Sequence, residues 1–215
     1  MDKMPHILRQ ELSHVFWMGG SPCSGKSSIA ELLSGRHGLQ YYQCDSAFDE
    51  HSRRVTALGQ PTFHKLLGMT WDEIWTRPVD IQLKEEIAIY REEFDMILDD
   101  LLALPKSPPI LAEGTALLPD CVNGILLNPH RAIWIVPSEP FQRKHYPDRG
   151  PWVQGILSQC TDPDLAFQNW MNRDVAFARW VAGRTTELGL EMIEVDGKQT
   201  IADNGQAVAR HFGWP

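Results

Sequence analysis

The 215-residue sequence has no apolar run long enough to cross a membrane, and its first residues, MDKMPHILRQEL, contain no apolar stretch of the secretory type. Only four cysteines occur, and they form neither a C-x-x-C pair nor a zinc-spaced group with histidine. Basic residues are in the minority, with 20 Lys and Arg against 28 Asp and Glu and a net charge of −8. These absences predict a cytoplasmic protein with reduced thiols that binds neither membrane nor nucleic acid.

The remaining composition is that of a globular protein, with 43% hydrophobic and 22% charged residues. A chain of this length can form one good core and is too short for two full domains. We find no internal repeat and no low-complexity segment. The sequence therefore predicts a single domain over residues 1–215.

The most informative stretch is VFWMGGSPCSGKSSI, residues 15–29, in which Gly20, Gly25, Lys26 and Ser27 fit the phosphate-loop pattern G-x-x-x-x-G-K-[ST]. Glycines allow backbone N–H groups to approach an anion, and the N-terminus of the following helix favours negative charge. Lys26 would reach the β- and γ-phosphates, and the Ser27 hydroxyl would bind Mg²⁺. The alternative is a Gly/Ser-rich turn with a surface lysine.

Strands and helices alternate on either side of this loop. Apolar patterning predicts a buried strand at 14–18 and a helix at 28–34, so strand, loop and helix follow in the order that the motif requires. Further strands are predicted at 39–44, 110–119, 131–136 and 190–195, and further helices at 48–58, 79–104, 162–188 and 201–212. This alternation predicts an α/β fold, a five-stranded parallel sheet flanked by helices, with strand 39–44 beside the first strand.

Two acidic residues end predicted strands. Asp45 follows strand 39–44 and would reach the phosphate-loop edge, where a phosphoryl acceptor needs a base. The alternative is that Asp45 or Ser46 caps the next helix, and Asp49 is a weaker candidate for a functional role. Glu113 would act through metal-bound water or a substrate hydroxyl, unless local backbone satisfies its carboxylate.

The segment 46–109 is predicted to be a helical region on the substrate side. Trp71 and Trp75 are spaced for one face of a short helix, and packing is favoured over a binding role for them. Helix 79–104 carries many acidic residues, for which a solvated face is the simplest interpretation. They are Glu85, Glu86, Glu92, Glu93, Asp95, Asp99 and Asp100.

A local basic cluster stands out in this acidic chain. Arg143, Lys144, His145 and Arg149 lie in a segment bounded by Pro and Gly. Such a segment suits a lid, here over about 138–180, whose arginines close over phosphates. The alternative is an ordinary basic loop.

Several classes of phosphate-loop protein are disfavoured because the chain contains no N-K-x-D, no D-x-x-G and no L-S-G-G-Q sequence. A kinase of small molecules remains. The order of GGSPCSGKSS, the strand ending at Asp45, AEGTALLP, WIVPSEPFQRKHY and EVDGKQTIADNGQAVARHF resembles the nucleoside-monophosphate-kinase-like group. That group includes adenylate, shikimate and gluconate kinases and chloramphenicol phosphotransferase.

The resemblance implies a P-loop NTPase fold with a small helical lid, and ATP with Mg²⁺ as the bound nucleotide. It implies that Asp45 faces the acceptor hydroxyl, that Arg54 lies near an acidic substrate group, and that Arg149 and Arg173 lie in and after the lid. The implied nucleotide-binding residues are Gly20, Ser21, Cys23, Ser24, Gly25, Lys26, Ser27, Ser28, Gly197 and Lys198. The lid lacks the R-x-D-D pattern of nucleotide kinases, and segment 59–109 is longer and more aromatic than in shikimate kinase, so substrate identity is not inherited.

The main hypothesis is an ATP-dependent phosphotransferase acting on a hydroxyl of a small metabolite or antibiotic. Its predicted catalytic residues are Lys26, Asp45, Arg149 and Arg173, its substrate-binding residues Asp45, Arg54 and Glu113, and its metal ligand Ser27. The alternatives are a nucleoside monophosphate kinase and a nucleotide-binding regulatory protein without turnover. We expect a monomer or a homodimer.

Overall fold

The computed structural model describes residues 4–215, with side chains from residue 7 onward apart from those of residues 148 and 149. Five strands form one sheet in which every pairing is parallel, in the order β2-β3-β1-β4-β5. They are β1 Val15–Gly20, β2 Gln40–Gln43, β3 Ile110–Glu113, β4 Ala132–Pro137 and β5 Glu191–Val195. The predicted α/β fold with a five-stranded parallel sheet is therefore confirmed.

Helices connect these strands and cover both faces of the sheet. Helices α1 to α6 are Met4–Glu11, Lys26–His37, Cys44–Arg54, Pro61–Leu67, Trp71–Trp75 and Val79–Ala103. Helices α7 to α11 are Pro119–Ile125, Glu139–His145, Pro151–Leu157, Pro163–Glu187 and Ile201–Phe212, with 3-10 turns at Pro129–Arg131 and Tyr146–Arg149. Within residues 4–215, none of these helices combines the length and apolarity that a membrane crossing requires.

The predicted position of the second strand beside the first is wrong. Strand β1 pairs with β3 and β4, and β2 lies at the sheet edge, beyond β3. The burial of the two strands explains the exchange, because ILAE of β3 is buried throughout while QYYQ of β2 is only half-buried. Interior strands of a parallel sheet are covered on both faces and take the more apolar sequence. The acidic residue that ends the strand beside β1 is therefore Glu113.

Two further predictions of local structure are wrong. Residues 4–11, where the sequence analysis places no helix or strand, form α1, because Leu8 and Leu12 pack against the core. Helix α3 begins at Cys44, directly after β2, instead of at residue 48, and its N-cap is Gln43 without a side-chain hydrogen bond. Asp45 thus lies in the first turn of the helix and does not cap it.

Three apolar clusters fill the space around the sheet. Helices α6 and α10 cover one face through residues such as Phe94, Ile97 and Phe177, and α2 and α11 cover the other. The third cluster joins α5, α9 and α10 around Trp75 and Trp170. It forms part of the region beyond the phosphate loop, where the candidate site lies.

Candidate active site

The chain from the end of β1 to the start of α2 has positive φ at Gly20, Cys23 and Gly25. Gly20 has φ 144°, and a Cβ there would lie 2.0 Å from the Ile135 carbonyl oxygen. Cys23 has φ 65°, and Gly25, at φ 77°, is the N-cap of α2. Glycine is therefore required at position 20 by sterics as well as by conformation.

The unused hydrogen-bonding groups of this loop fit a polyanion. The Ser21 and Ser24 hydroxyls are buried, with residue exposures of 0% and 1%, and have no partner among the described residues. The first N–H groups of α2 have no intrahelical acceptor. Lys26, 6% exposed, adds a positive charge at the same helix start. Buried donors without partners are costly, and a triphosphate would satisfy them.

Glu113, at the end of β3, directly contacts the start of α2. Its Oε1 lies 3.4 Å from Lys26 Nζ and accepts a hydrogen bond of 3.3 Å from the Ser27 hydroxyl. The Tyr41 hydroxyl donates to its Oε2 at 2.8 Å, and burial together with this carboxylate raises the pKa of Tyr41. In the described part of the chain its partners are all side chains, so local backbone does not satisfy it.

Ser27 and Glu113 are the residues that could hold Mg²⁺. No cluster of three or more His, Cys, Asp or Glu side chains suited to a metal is found among the described residues. Mg²⁺ in phosphoryl-transfer sites is bound by one or two protein oxygens, with phosphates and water completing the octahedron. Two oxygen-bearing side chains beside a phosphate loop fit that requirement.

A cleft of about 890 Å³ opens on one side of the loop. Cys23, Ser24, Gly25 and Ser28 form its floor, and the β5–α11 turn and α8 form its walls. Its lining includes Phe141, His145, Asp196, Gly197, Gln199 and Thr200. Its volume lies in the range of small-molecule sites, and its lining combines loop residues with the aromatic ring of Phe141.

Gly197 and Lys198 were both predicted to bind the nucleotide, but only Gly197 lines this cleft. Gly197, at φ 87°, packs so closely on Phe141 that a Cβ would lie 3.0 Å from its ring. The Lys198 side chain instead forms an ion pair with Asp196 and does not line the cleft. The backbone of this turn, more than the lysine, therefore shapes the cleft.

A second cavity, of about 580 Å³, lies on the other side of the loop, where Pro22 forms part of its wall. Asp45 and Asp49 from α3 line it, together with side chains from α5, α6, α9 and α10. Asp45 is exposed, and its carboxylate has no hydrogen-bond or ion-pair partner among the described residues. A base at this position is accessible to a molecule that occupies the cavity.

Of the predicted arginines, Arg54 and Arg173 are not brought together. Arg173 lines the second cavity, 3.0 Å from Glu86 and 2.6 Å from Asp174, and lies 4.9 Å from the Trp75 ring centroid. Burial opposes its charge, but the two carboxylates outweigh burial and raise the pKa of Arg173. Arg54 binds Asp100 at 3.2 Å and lines neither cavity.

The basic cluster around residue 145 is only partly described. Arg143 donates to Glu139 at 2.8 Å and to Asn172 at 3.0 Å, and it lines neither cavity. Lys144 and His145 line the cleft of about 890 Å³. The Arg149 side chain lies outside the described residues.

The prediction that the acidic residues of α6 form a solvated face is wrong for some of them. Glu86 and Glu93 of α6 are buried, with exposures of 6% and 1%, and both line the second cavity. Glu86, Glu93 and Asp100 occur at every seventh position, which places them on one helix face, with Tyr90 between the first two. The seven-residue spacing of these three acids is the sequence feature that could have indicated a buried acidic face. Treating all seven acids of the helix as one group does not reveal that spacing.

Behind this stripe, His51 connects two of the acids. Its Nδ1 lies 2.9 Å from Glu93, and its Nε2 lies 2.9 Å from Asp100, which also accepts a hydrogen bond of 2.9 Å from Tyr42. Burial lowers the pKa of His51, but the two carboxylates outweigh burial and raise it. Burial raises the pKa of Glu93, whereas Asp100, less buried and well hydrogen-bonded, has a lowered pKa. The hydrogen bond to His51 thus holds Glu93 in the lining of the cavity.

Of the two tryptophans on α5, Trp75 both packs in the core and lines the second cavity. Trp75 packs face to face with Trp170, with ring centroids 4.1 Å apart, and is 5% exposed. It also forms part of the wall of the second cavity, which these rings border without filling. A cavity remains open beside the loop, as an acceptor site requires.

Comparison with known proteins gives no assignment by sequence. No model of a protein family matches the chain, and no curated protein matches it. The chain is similar in structure to a protein from Chloroflexus aurantiacus J-10-fl described as a putative kinase, with 15% identity and a TM-score of 0.38, over 92% of this chain and 97% of that chain. A likeness at this level gives no activity, so function has to be argued from the site.

Proposed function

We propose that the protein is an ATP-dependent phosphotransferase that moves the γ-phosphoryl group of ATP to a hydroxyl of a small molecule. The observation that carries this proposal is that residues of the loop between β1 and α2 line two separate cavities. Cys23, Ser24, Gly25 and Ser28 line the nucleotide cleft, and Pro22 lines the cavity that contains Asp45. A donor and an acceptor bound in these two spaces would meet at the loop.

The chemistry requires a proton acceptor and charge neutralisation. Asp45 would accept the proton of the acceptor hydroxyl as its oxygen bonds to the γ-phosphorus, and the bond from that phosphorus to the β,γ-bridging oxygen breaks. The products are a phosphate monoester, ADP and a proton. Lys26 and the loop N–H groups would stabilise the negative charge on the phosphates, and Ser27 with Glu113 would hold Mg²⁺, which supplies further positive charge.

The arrangement of the arginines whose side chains the structure describes favours a hydroxyl acceptor over a nucleoside monophosphate. A phosphate acceptor calls for guanidinium groups directed into the acceptor cavity and needs no base. Here Arg173 is already paired with Glu86 and Asp174, Arg54 lies outside the cavity, and a free carboxylate, Asp45, lies within it. The open cavity likewise favours an enzyme over a regulatory protein without turnover.

The test compares Asp45→Asn with Glu50→Gln, a matched change at an exposed position of the same helix. Binding of MgADP is measured by calorimetry, and ADP release is followed with a panel of polyols, sugars, amino alcohols and nucleoside monophosphates. We expect Asp45→Asn to lose about 10²- to 10⁴-fold in turnover with nucleotide affinity unchanged, and Glu50→Gln to retain both. Unchanged turnover in Asp45→Asn would show that the base is elsewhere, and turnover with monophosphates alone would replace this function by the alternative.

A further inference from the structure

The cavity beyond the phosphate loop has a strong excess of negative charge. Its lining includes five carboxylates and, among the described side chains, one cationic group, that of Arg173. The carboxylates are Asp45, Asp49, Glu86, Glu93 and Asp174. One more positive charge would not cancel this excess.

Arg173, the one guanidinium among the described side chains of the cavity, is not available to an anionic ligand. Arg173 is ion-paired with Glu86 and Asp174 and lies over the Trp75 ring. An anion entering the cavity would compete with two buried carboxylates for one charge and would meet Asp45 and Asp49 without compensation. Like charges at short range in a partly buried site are strongly unfavourable.

Glu93 is the carboxylate best placed to bind a cation. It is 1% exposed and lines the cavity, and its Oε1 is occupied by His51. Its Oε2 has no hydrogen-bond partner in the described part of the chain. An ammonium group in the cavity would donate to this oxygen and supply the opposite charge.

The aromatic wall provides two more unused groups. Trp75 and Trp170 line the cavity at 5% and 3% exposure, and neither indole Nε1 has a hydrogen-bond partner among the described residues. Indole nitrogen is only a donor, so it calls for an oxygen on the ligand. Trp152, from α9, lies beside them, with its ring centroid 5.5 Å from that of Trp170. Indole faces also attract organic cations.

An apolar extension continues from the same cavity. A space of about 360 Å³ is lined by Leu66, Leu67, Met69, Trp71, Ile74 and Ile89. It shares Phe48, Trp75, Glu86, Tyr90 and Arg173 with the acceptor cavity, so the two spaces adjoin. A ligand can therefore place an apolar group here while its polar end remains near the loop.

We propose that the phosphoryl acceptor is a hydroxylated organic amine with an apolar body, whose ammonium group binds Glu93 and Asp49 while its hydroxyl lies at Asp45. This inference rests on the proposed function and specifies its substrate class. It excludes hydroxy acids and monophosphates as the preferred acceptors.

The test uses matched compounds that differ in one group. With phenyl, cyclohexyl and hexyl bodies, each set contains a vicinal amino alcohol, the diol with hydroxyl in place of the amine, and the hydroxy acid with carboxylate in its place. Binding is followed by the fluorescence of the tryptophans that line the cavity, and turnover by ADP release. We expect the amino alcohol to exceed the diol by about tenfold in kcat/KM and the hydroxy acid to be turned over least.

Two charge-removing variants locate the cation site. Glu93→Gln preserves the shape at the buried position, and Asp49→Asn acts at an exposed position that tolerates substitution. Asp95→Asn is the control, since Asp95 is exposed on the same helix as Glu93 and lines neither space. We expect the amine preference over the diol to fall to near unity in Glu93→Gln, to fall in part in Asp49→Asn, and to persist in Asp95→Asn.

The outcomes separate this inference from the function on which it rests. Turnover of diols or hydroxy acids equal to or above that of the amines would overturn the substrate class and leave the phosphotransferase intact. Silence of all three sets in a protein that binds MgADP would overturn the substrate class as well. Absence of MgADP binding would instead overturn the proposed function.

Discussion

The two spaces on either side of the phosphate loop are built in different ways. The nucleotide cleft is formed by two short stretches, residues 20–28 and the β5–α11 turn, with α8 as a wall, and backbone conformation determines its shape. The acceptor cavity draws side chains from α3, α5, α6, α9 and α10, and charge dominates its chemistry. A binding site made of local backbone leaves a continuous motif in the sequence, whereas a site made of distant side chains does not.

The largest expected effect separates the two lysines predicted to bind nucleotide. Lys26→Met removes the ammonium group at the first residue of α2, which pairs with Glu113, and we expect turnover to fall by about 10²- to 10³-fold and MgADP affinity to decrease. Lys198→Met removes an exposed lysine that pairs only with Asp196 and should change both by less than about threefold. Calorimetry measures MgADP affinity and ADP release measures turnover in both variants. Equal losses in the two would contradict the different roles given to the two lysines.

On the acceptor side, Arg173→Met should destabilise the fold more than it alters the nucleotide cleft. It leaves Glu86 and Asp174 buried without their guanidinium, at a cost of about 3–5 kcal/mol in the free energy of unfolding. Arg143→Met, at an exposed pair with Glu139, should cost about 0–1 kcal/mol. Urea unfolding distinguishes them, and a loss below about 1 kcal/mol for Arg173→Met would show that the buried pairing contributes little.

Two glycine substitutions test whether MgADP binding depends on the backbone conformation of the loop. Gly20→Ala would place a Cβ 2.0 Å from the Ile135 carbonyl oxygen, and we expect about 2–3 kcal/mol of destabilisation together with weaker MgADP binding. Gly35→Ala lies within α2 with no atom within 4 Å of the added Cβ and should stabilise by about 0.5–1 kcal/mol. Thermal unfolding with and without MgADP measures both. A neutral Gly20→Ala would mean that the loop is looser than described.

A smaller effect, dependent on pH, is expected from the network behind the acceptor cavity. The pKa of His51 is raised, so its pairing stabilises the fold fully below its ordinary value of about 6.5 and is lost as the pH rises through the folded value. The raised pKa of Glu93 acts in the same direction, while the lowered pKa of Asp100 matters only in acid. The advantage of the wild type over His51→Phe should be about 1–3 kcal/mol at pH 6 and smaller at pH 9. A difference independent of pH would show that His51 is neutral throughout.

The sequence predicted those parts of the structure that are formed by consecutive residues. The strand, loop and helix around Lys26 and the final helix at Ile201–Phe212 follow from local patterns. The position of β2 at the sheet edge does not follow from local patterns. Strand order depends on how deeply β3 is buried relative to β2, and that comparison requires the assembled sheet. Glu93 was assigned to solvent because its partner, His51, lies on another helix.

The central claim is that the loop serves two different spaces, and titration of MgADP into wild type, Lys26→Met and Asp45→Asn tests it most directly. The account predicts that wild type and Asp45→Asn bind with the same affinity and that Lys26→Met binds at least about tenfold more weakly. No measurable binding to the wild type, or an equal loss in Asp45→Asn and Lys26→Met, would contradict it.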